Sequence, residues 1–445
     1  MQAIRNLIFV MLVTAALAEA QAGFGGPSVM GRSLGAGIAR RSAQARFRPF
    51  ATVRGVYDSG LSAFRLNPDG TVGDALGVGG VEVSGGIYGA KSWRRSQLAA
   101  NYLGGYRRYP GDSPFNGSEH SGNFGLSYQP TPRLALLTSN TAGTLIRNAA
   151  FGLTLTNPFQ TIDPAFMGVP TNEVFDVRLN FFSSANTISY ALAPRLSVAA
   201  TGGVFLTQRA GSLVSGRGVL AGGDISRRLD RLSTGTLAYN YMRFSFDREF
   251  GFSGVQEVAF AYVRDFGPRW TLQLRLGGFE VENEGIETVT LDPEIAELLG
   301  IRVGARAFYR KNYFPSIRAA WLGRFRTSNF AVSFARTILP GNGIILTSRN
   351  QTIGGYYAYT GIRKWIFSAN VANNRMEGLL RFNQANRTTV GSLRAGYQLT
   401  RSWQLNWSFD VRAQSLTIPS SLPERASRVT MGLSWSPGDI PLAFW

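Results

Sequence analysis

The chain has 445 residues, of which 52 are glycine, none is cysteine and only 16% are charged, and its net charge is +19. Typical soluble proteins carry charge on about a quarter of their residues, so the composition argues against an ordinary soluble protein. The absence of cysteine excludes disulfides, zinc–thiolate sites and cysteine nucleophiles.

The first twenty residues have the pattern of an export signal. Arg5 precedes an apolar run over 7–18, which is too short to cross a bilayer as a helix and is followed by a small-residue cleavage site ending at Ala20. We therefore expect residues 1–20 to be a signal peptide. Residues 21–46 are rich in glycine, serine and arginine, and we expect them to form a flexible periplasmic tail.

Further along the chain, apolar and polar residues alternate in segments of about ten residues. From Trp403 to Arg412 every second residue is apolar and each residue between is polar, and the segment Arg428–Trp435 repeats the pattern. Successive side chains of a strand point to opposite faces. The alternation therefore predicts strands with one apolar face and one polar face, and such strands can face lipid in a closed barrel.

Short turns and longer polar loops follow each other in regular order. This order predicts an all-β, antiparallel, up-and-down transmembrane barrel over residues 47–437 with about eighteen strands, and with sixteen as the alternative. A C-terminal tail over 438–445 then ends in aromatic residues, and it either stays free in the periplasm or tucks back against the barrel. The predicted short turns lie near Ser92, Pro132, Pro194, Leu229, Gly267, Thr327, Ile362 and Arg401.

Most of the positive charge lies at or beside these short turns, on one rim of the predicted barrel. Tryptophan and arginine together favour the headgroup level of a membrane, so outer-membrane lipids are the expected partner of this rim. Nucleic acid is not an expected partner, because no basic run or nucleic-acid module accompanies the charge. The predicted membrane-interface girdle contains five tryptophans, namely Trp93, Trp270, Trp365, Trp403 and Trp435.

Some arginines are placed by strand parity on the polar face of the predicted barrel. One interpretation is a pore lining that favours anions. The other is that paired arginines brace a wet interior, with partners such as Glu82, Asp224 and Asp410. The pore-lining candidates are Arg54, Arg275, Arg318, Arg394 and Arg412.

An acidic segment covers residues 280–300 and is interpreted as part of a long loop over 282–312. Asp292, Pro293 and Gly300 predict a short helix inside it. The segment either folds inward and narrows the channel or remains solvated outside, and the second interpretation is favoured. The candidates for a constriction are Glu282, Glu284, Glu287, Asp292, Glu294 and Glu297.

Catalysis finds little support in the sequence, and we expect no enzyme activity and no cofactor. His120 is the only histidine, and its neighbour Ser121 does not by itself establish a catalytic geometry. No phosphate-binding loop, dinucleotide motif or metal-ligand spacing is present. We therefore predict no catalytic residue and no metal site.

Two strand–turn–strand segments, around Pro132–Arg133 and Pro194–Arg195, resemble those of bacterial outer-membrane β-barrels of porin-like size. The aromatic end of the sequence, Phe444–Trp445, also resembles the end of these proteins. The resemblance implies an outer-membrane location and the outer-membrane assembly machinery as a partner. It leaves the oligomeric state open between monomer and trimer.

A barrel of this size predicts a passive diffusion channel for small solutes, with anions as one option. The alternatives are a structural or surface-binding barrel whose lumen the loops occlude, and a conduit that exports an anionic polysaccharide.

Overall fold

The computed structural model describes residues 45–59, 77–111, 116–147, 177–210, 213–247, 251–290, 303–341, 345–379, 385–416, 425–437 and 440–442, together with positions 292, 297 and 300. No helix among these residues is long and apolar enough to cross a membrane.

The described chain consists almost entirely of strands. In chain order they are β1 Ala45–Asp58, β2 Val78–Ser92, β3 Ser96–Arg108, β4 Gly117–Tyr128, β5 Leu134–Arg147, β6 Val177–Ala193, β7 Leu196–Arg209, β8 Gly216–Arg228, β9 Ser233–Phe246, β10 Gly251–Phe266, β11 Trp270–Thr290, β12 Val303–Arg324, β13 Ser328–Pro340, β14 Thr347–Tyr359, β15 Trp365–Gly378, β16 Ala385–Gln398, β17 Trp403–Leu416, β18 Arg425–Trp435 and the short β19 Ile440–Leu442.

Strands β1 to β18 form one closed barrel. Each pairs antiparallel with its neighbours in the sequence, and β1 also pairs with β18, with Arg54 opposite Gly432. Closure leaves the sheet without an open edge, as the interior of a lipid bilayer requires. The predicted all-β, up-and-down barrel of eighteen strands is confirmed.

The two faces of the barrel differ in the way the alternation predicts. In β9, Leu237 and Tyr239 are exposed, whereas Ala238 and Asn240 between them are buried. Exposed aliphatic and aromatic side chains lie on the outer face of strands all round the barrel. A closed barrel with an apolar outer surface and a polar interior is the architecture of bacterial outer-membrane proteins, and the chain is a barrel of this class.

All eight predicted short turns join strands on one rim. The shortest, after β6, contains only Pro194 and Arg195. The prediction of a loop over 282–312 is wrong, because β11 continues to Thr290 and β12 begins at Val303. The ladder between the two strands is uninterrupted up to its last pair, in which Thr290 lies opposite Val303. This hairpin extends beyond both of its neighbours, since the β12–β13 ladder ends where Ile317 meets Arg336.

The orientation of the barrel can be tested with single cysteines, because the natural chain contains none. Glu297→Cys places a thiol at an exposed position between β11 and β12, and Pro194→Cys places one in a short turn, also exposed. If the short turns are periplasmic, an impermeant thiol reagent labels the first variant on intact cells. It labels the second only after the outer membrane is permeabilised.

The reverse labelling pattern would place the short turns outside the cell and would contradict the predicted orientation. The unsubstituted chain serves as the control and should remain unlabelled throughout.

The two ends of the barrel meet at β1. This strand begins at Ala45, and its first residues pair with β19, so that Phe47 lies opposite Ile440. The barrel strand β18 stops at Trp435, near Pro49, which has no backbone N–H to donate to a ladder. The hydroxyl of Ser436 donates to the carbonyl oxygen of Pro49 at 3.1 Å. Of the two alternatives for the C-terminal segment, the described residues show the one in which it returns to the barrel.

Candidate functional site: the barrel lumen

A buried ion network centred on Glu257 lies on the lumenal face of β9 to β12. The carboxylate accepts hydrogen bonds from Arg275 at 2.6 Å, Ser316 at 2.5 Å and Asn240 at 2.8 Å. A second guanidinium, that of Arg318, lies 3.5 Å from the other carboxylate oxygen. The side chains of Arg275 and Arg318 are only 1% and 2% exposed. These two arginines therefore fit the interpretation in which paired arginines brace the interior.

A second network surrounds Glu82 on the opposite wall, where β1, β2, β3 and β18 meet. Glu82 is buried and forms ion pairs with Arg54, with Arg107 at 3.4 Å and with Arg428 at 3.1 Å. Arg107 also reaches Glu119 on β4 at 3.5 Å. Arg54 keeps 29% of its side chain exposed, so this network, unlike the Glu257 network, has a guanidinium in contact with solvent.

The last two predicted lining arginines are Arg394 on β16 and Arg412 on β17, and they differ in exposure. Arg394 shares the lumenal face with the buried Ser392 and is itself exposed. Arg412 is buried, and its Nε atom has no hydrogen-bond partner. Solvent therefore reaches the lumenal wall at Arg394. The prediction that these side chains line a pore stays a prediction.

At the ends farthest from the short turns, β13 separates from β12, and the β13–β14 hairpin bends into the lumen while β14 stays paired with β15. We call this part the inward tip and define it as residues 337–341 and 345–350. The guanidinium of Arg209 on β7 donates to the carbonyl oxygen of Gly341 at 3.1 Å, although the two residues are 132 positions apart in the sequence. Ser253 on β10 is hydrogen-bonded to Thr347 at 2.5 Å.

Apolar contacts reinforce this arrangement. Ile338 and Leu339 of the inward tip belong to a buried cluster that lies between the tip and the wall formed by β7 to β11. Leu379, which follows β15 beside the tip, is also a member, and the members on the wall are Phe205, Leu220, Met242, Phe244, Phe246, Val255, Phe279 and Val281. Burial of this much apolar surface holds the tip against one side of the barrel, so the tip narrows the lumen from that side.

The acidic residues proposed for a constriction occupy other places. Glu282 and Glu284 lie in β11 on the same face as the exposed Leu276, so they point away from the lumen and the prediction is wrong for them. Lys311 on β12 pairs with Glu282 at 3.2 Å and with Glu280 at 2.7 Å.

Of the other constriction candidates, Asp292 and Glu297 are exposed at isolated described positions, and Glu297 is helical. The side chain of Glu287 and the whole of Glu294 lie outside the described residues. Gly300 has a φ of 65°, the left-handed conformation that suits the predicted glycine stop of a short helix.

The tryptophans of the predicted girdle lie on the rim of the short turns. Trp270 makes edge contacts with Trp321, Phe325 and Phe330, and Trp365 stacks on Trp407. Trp93, Trp403 and Trp435 are exposed near the same rim. Lys91 lies 5.1 Å from the centre of the Trp93 ring. Aromatic and basic side chains are therefore in contact at this level, as is typical of a membrane interface, and lipid as the partner stays a prediction.

One acidic side chain on this rim has a structural role. The backbone N–H groups of Leu232 and Ser233 donate to the carboxylate of Asp230 at 2.6 and 2.7 Å. These hydrogen bonds hold the pKa of this exposed carboxyl below its usual value. Asp230 thus fixes the turn between β8 and β9 through a local side-chain-to-backbone motif.

His120 lies in β4. Its ring stacks on Tyr102 of the neighbouring strand β3, and the tyrosine hydroxyl lies 2.7 Å from Nδ1. Within the described residues, no group of three or more histidine, aspartate or glutamate side chains is arranged to hold a metal ion.

Comparisons with known proteins give structural similarity without sequence similarity. No protein-family model and no curated protein matches the chain. Among solved structures, a BenF-like porin from Pseudomonas fluorescens Pf-5 is 9% identical, with a TM-score of 0.45, and the match covers 89% of this chain and 99% of that one.

Two porins from Pseudomonas aeruginosa are similar to the same degree. OpdK, solved with vanillate, is 10% identical with a TM-score of 0.42, and the match covers 88% of this chain and 98% of that one. OpdF, solved with glucuronate, is 11% identical with a TM-score of 0.44, and the match covers 89% of this chain and 98% of that one. Similarity at this level concerns the architecture alone.

Several residues of the lumen are absent from the sequence-based predictions. They include Arg107, Arg209 and Arg428, which lie near the strand ends farthest from the short turns. They also include Glu257, an isolated acidic residue in the middle of β10. Strand parity places all four on the polar face, so parity alone could have identified them as lumenal. Which of them meet depends on the strand register and on the curvature of the barrel.

Proposed function

We propose that the protein is a passive channel for small solutes, with a preference for anions. The observation that carries the proposal is that Arg394 is exposed on the lumenal wall. The ion pairs of the two networks support it, because they join five arginines to only three glutamates. The buried Asp58 and Asp410 on the same face offset this excess of two, and the buried Arg209 and Arg412 add two further positive charges to the face.

A barrel of eighteen strands is wide enough to contain an aqueous channel unless loops fill it. The inward tip occupies part of the cross-section, and the accessible Arg54 and Arg394 lie on strands away from the β7–β11 wall. The proposed path for solutes therefore runs along the side formed by β1 to β4 and β14 to β18.

Purified protein reconstituted in a planar bilayer should give stable conductance steps. Under a salt gradient, the reversal potential should indicate that anions permeate better than cations. Consistent silence would favour the alternative of a barrel with an occluded lumen, which the buried inward tip and its apolar cluster also support. No feature of the described lumen favours the polysaccharide conduit.

Charge reversal at the exposed lumenal arginine should change the selectivity. In Arg394→Glu, a negative side chain replaces a positive one beside the proposed path. We therefore expect the ratio of anion to cation permeability, calculated from the reversal potential, to fall several-fold. The matched control is Arg387→Glu, which reverses a charge on the outer face of the same strand. The measurement is the reversal potential of both variants in the same gradient.

An equal change of the reversal potential in both variants would contradict the assignment. It would mean that Arg394 acts through the overall electrostatic field of the barrel and does not line the path.

A further inference from the structure

The inward tip departs from the barrel wall where the β12–β13 ladder ends. That ladder stops at the pair of Ile317 and Arg336, although β12 continues for fourteen more residues to Val303. Pro315, close to the last pair, has no backbone N–H to offer. Above this point the tip has no ladder with β12, but it keeps its ladder with β15 as far as the pair of Ser348 and Gly378. It is otherwise joined to the barrel by the contacts it makes across the lumen.

The described residues of the tip contact the far wall through hydrogen bonds and through apolar side chains. Two hydrogen bonds, from Arg209 to Gly341 and between Ser253 and Thr347, connect the tip to β7 and β10. Ile338 adds apolar contact with the cluster on the wall. The tip is therefore docked on a wall with which it shares no strand ladder.

The docked interface leaves polar groups without partners. The Oγ atom of Ser348 and the Nδ2 atom of Asn283 are buried and make no hydrogen bond to a described residue. Ser348 follows Thr347 directly, and Asn283 accepts a hydrogen bond from Ser253, so both groups lie at the docking contact. Each unsatisfied buried group costs free energy in the docked form. Docking is consequently opposed by polar groups that water would satisfy.

We propose that the inward tip is a latch, which docks on the β7–β11 wall in the narrow form of the lumen and undocks in a wider form. The proposal rests on the channel function proposed above. The docked form dominates at rest because undocking exposes Ile338 and Leu339 to water. The buried polar groups without partners lower the cost of release.

A disulfide between Ser253→Cys and Thr347→Cys tests the latch. The two native hydroxyls are within hydrogen-bonding distance, so a disulfide can form without moving the strands far. With the bond formed, we expect only the small conductance. Reduction should raise the largest conductance step at least about twofold, since the released tip no longer occupies the cross-section.

The control pair is Thr187→Cys with Thr201→Cys, on the neighbouring strands β6 and β7, where the hydroxyls lie 3.0 Å apart. A disulfide there joins strands that are already paired, so reduction should leave the conductance unchanged. Equal or smaller conductance after reduction of the Ser253–Thr347 pair would overturn the latch and leave the channel intact. Silence in both states would overturn the channel itself.

A second readout does not depend on conductance. The side chain of Thr347 is 0% exposed, so a thiol in the single variant Thr347→Cys reacts with a reagent only when the tip undocks. Ser434→Cys, also buried but on β18 far from the tip, reports general opening of the barrel. We expect Thr347→Cys to react at least tenfold faster, and equal rates would overturn the latch.

Discussion

Replacing Glu257 by alanine should lower the free energy of unfolding by about 3–5 kcal/mol, the loss expected when a buried ion pair loses one partner. The carboxylate faces two guanidinium groups that are almost completely buried. Without it, Arg275 and Arg318 would repel each other in a region that water hardly reaches. The measurement is the urea unfolding curve of the protein in detergent or lipid, monitored by tryptophan fluorescence.

The matched control is Glu377→Ala on the outer face of β15. Glu377 also contacts two arginines, Arg349 and Arg375, but its side chain is 23% exposed and that of Arg375 is 61% exposed. Solvent screens such pairs, so the loss should stay below about 1 kcal/mol. Similar losses in the two variants would show that Glu257 is not the centre of a desolvated network.

The substitution should also affect the channel. Removal of Glu257 takes one negative charge away from two arginines on the lumenal wall. If Glu257→Ala remains folded, we therefore expect a stronger anion preference than in the unsubstituted protein, measured as the reversal potential. A shift toward cations would contradict the assignment of this network to the lumen.

The sequence predicts the architecture well because its signals are local. Alternation with a period of two places each side chain on a face, and proline, glycine and charged pairs indicate the turns. In β17 both faces follow from the order of residues between Trp403 and Arg412 alone. The eighteen strands and the rim of short turns result from the same kind of signal, repeated along the chain.

The long β11–β12 hairpin shows how one local signal can hide another. Glu280, Glu282 and Glu284 suggested a loop because charge is dense there. The residues between them, Val281 and Asn283, still follow the period of a strand and are buried. The alternation was therefore present, and the density of acids led to the wrong interpretation.

The inward tip and the Glu257 network lie beyond such local signals. A break in alternation at Ile338–Leu339 is visible in the sequence, yet it does not indicate which wall the two side chains contact. Glu257 meets Arg275 because of the register between β10 and β11, and it meets Arg318 on the strand after that. Ladder register and barrel curvature act over long distances, and no sequence pattern specifies them here.

The outer face of the barrel should not tolerate a charged side chain at the middle of its apolar band. Leu276 lies in β11, is 56% exposed and points away from the lumen. It is six residues above Trp270 on the rim of the short turns, which places it near the middle of the apolar band. Leu276→Arg should therefore destabilise the barrel in a lipid bilayer by about 2–4 kcal/mol, because the guanidinium must enter hydrocarbon at that depth.

The matched control for Leu276→Arg is Leu229→Arg. Leu229 is exposed to a similar extent but lies in the short turn between β8 and β9, beside Arg228. An arginine at the membrane interface costs only about 0–1 kcal/mol. The losses in free energy of unfolding of the two variants should therefore differ by about 2 kcal/mol or more. Unfolding in urea from lipid vesicles measures both variants. Equal losses in lipid would place Leu276 outside the hydrocarbon. The same comparison in detergent should give a smaller difference, because a micelle adapts to a charge more easily than a bilayer does.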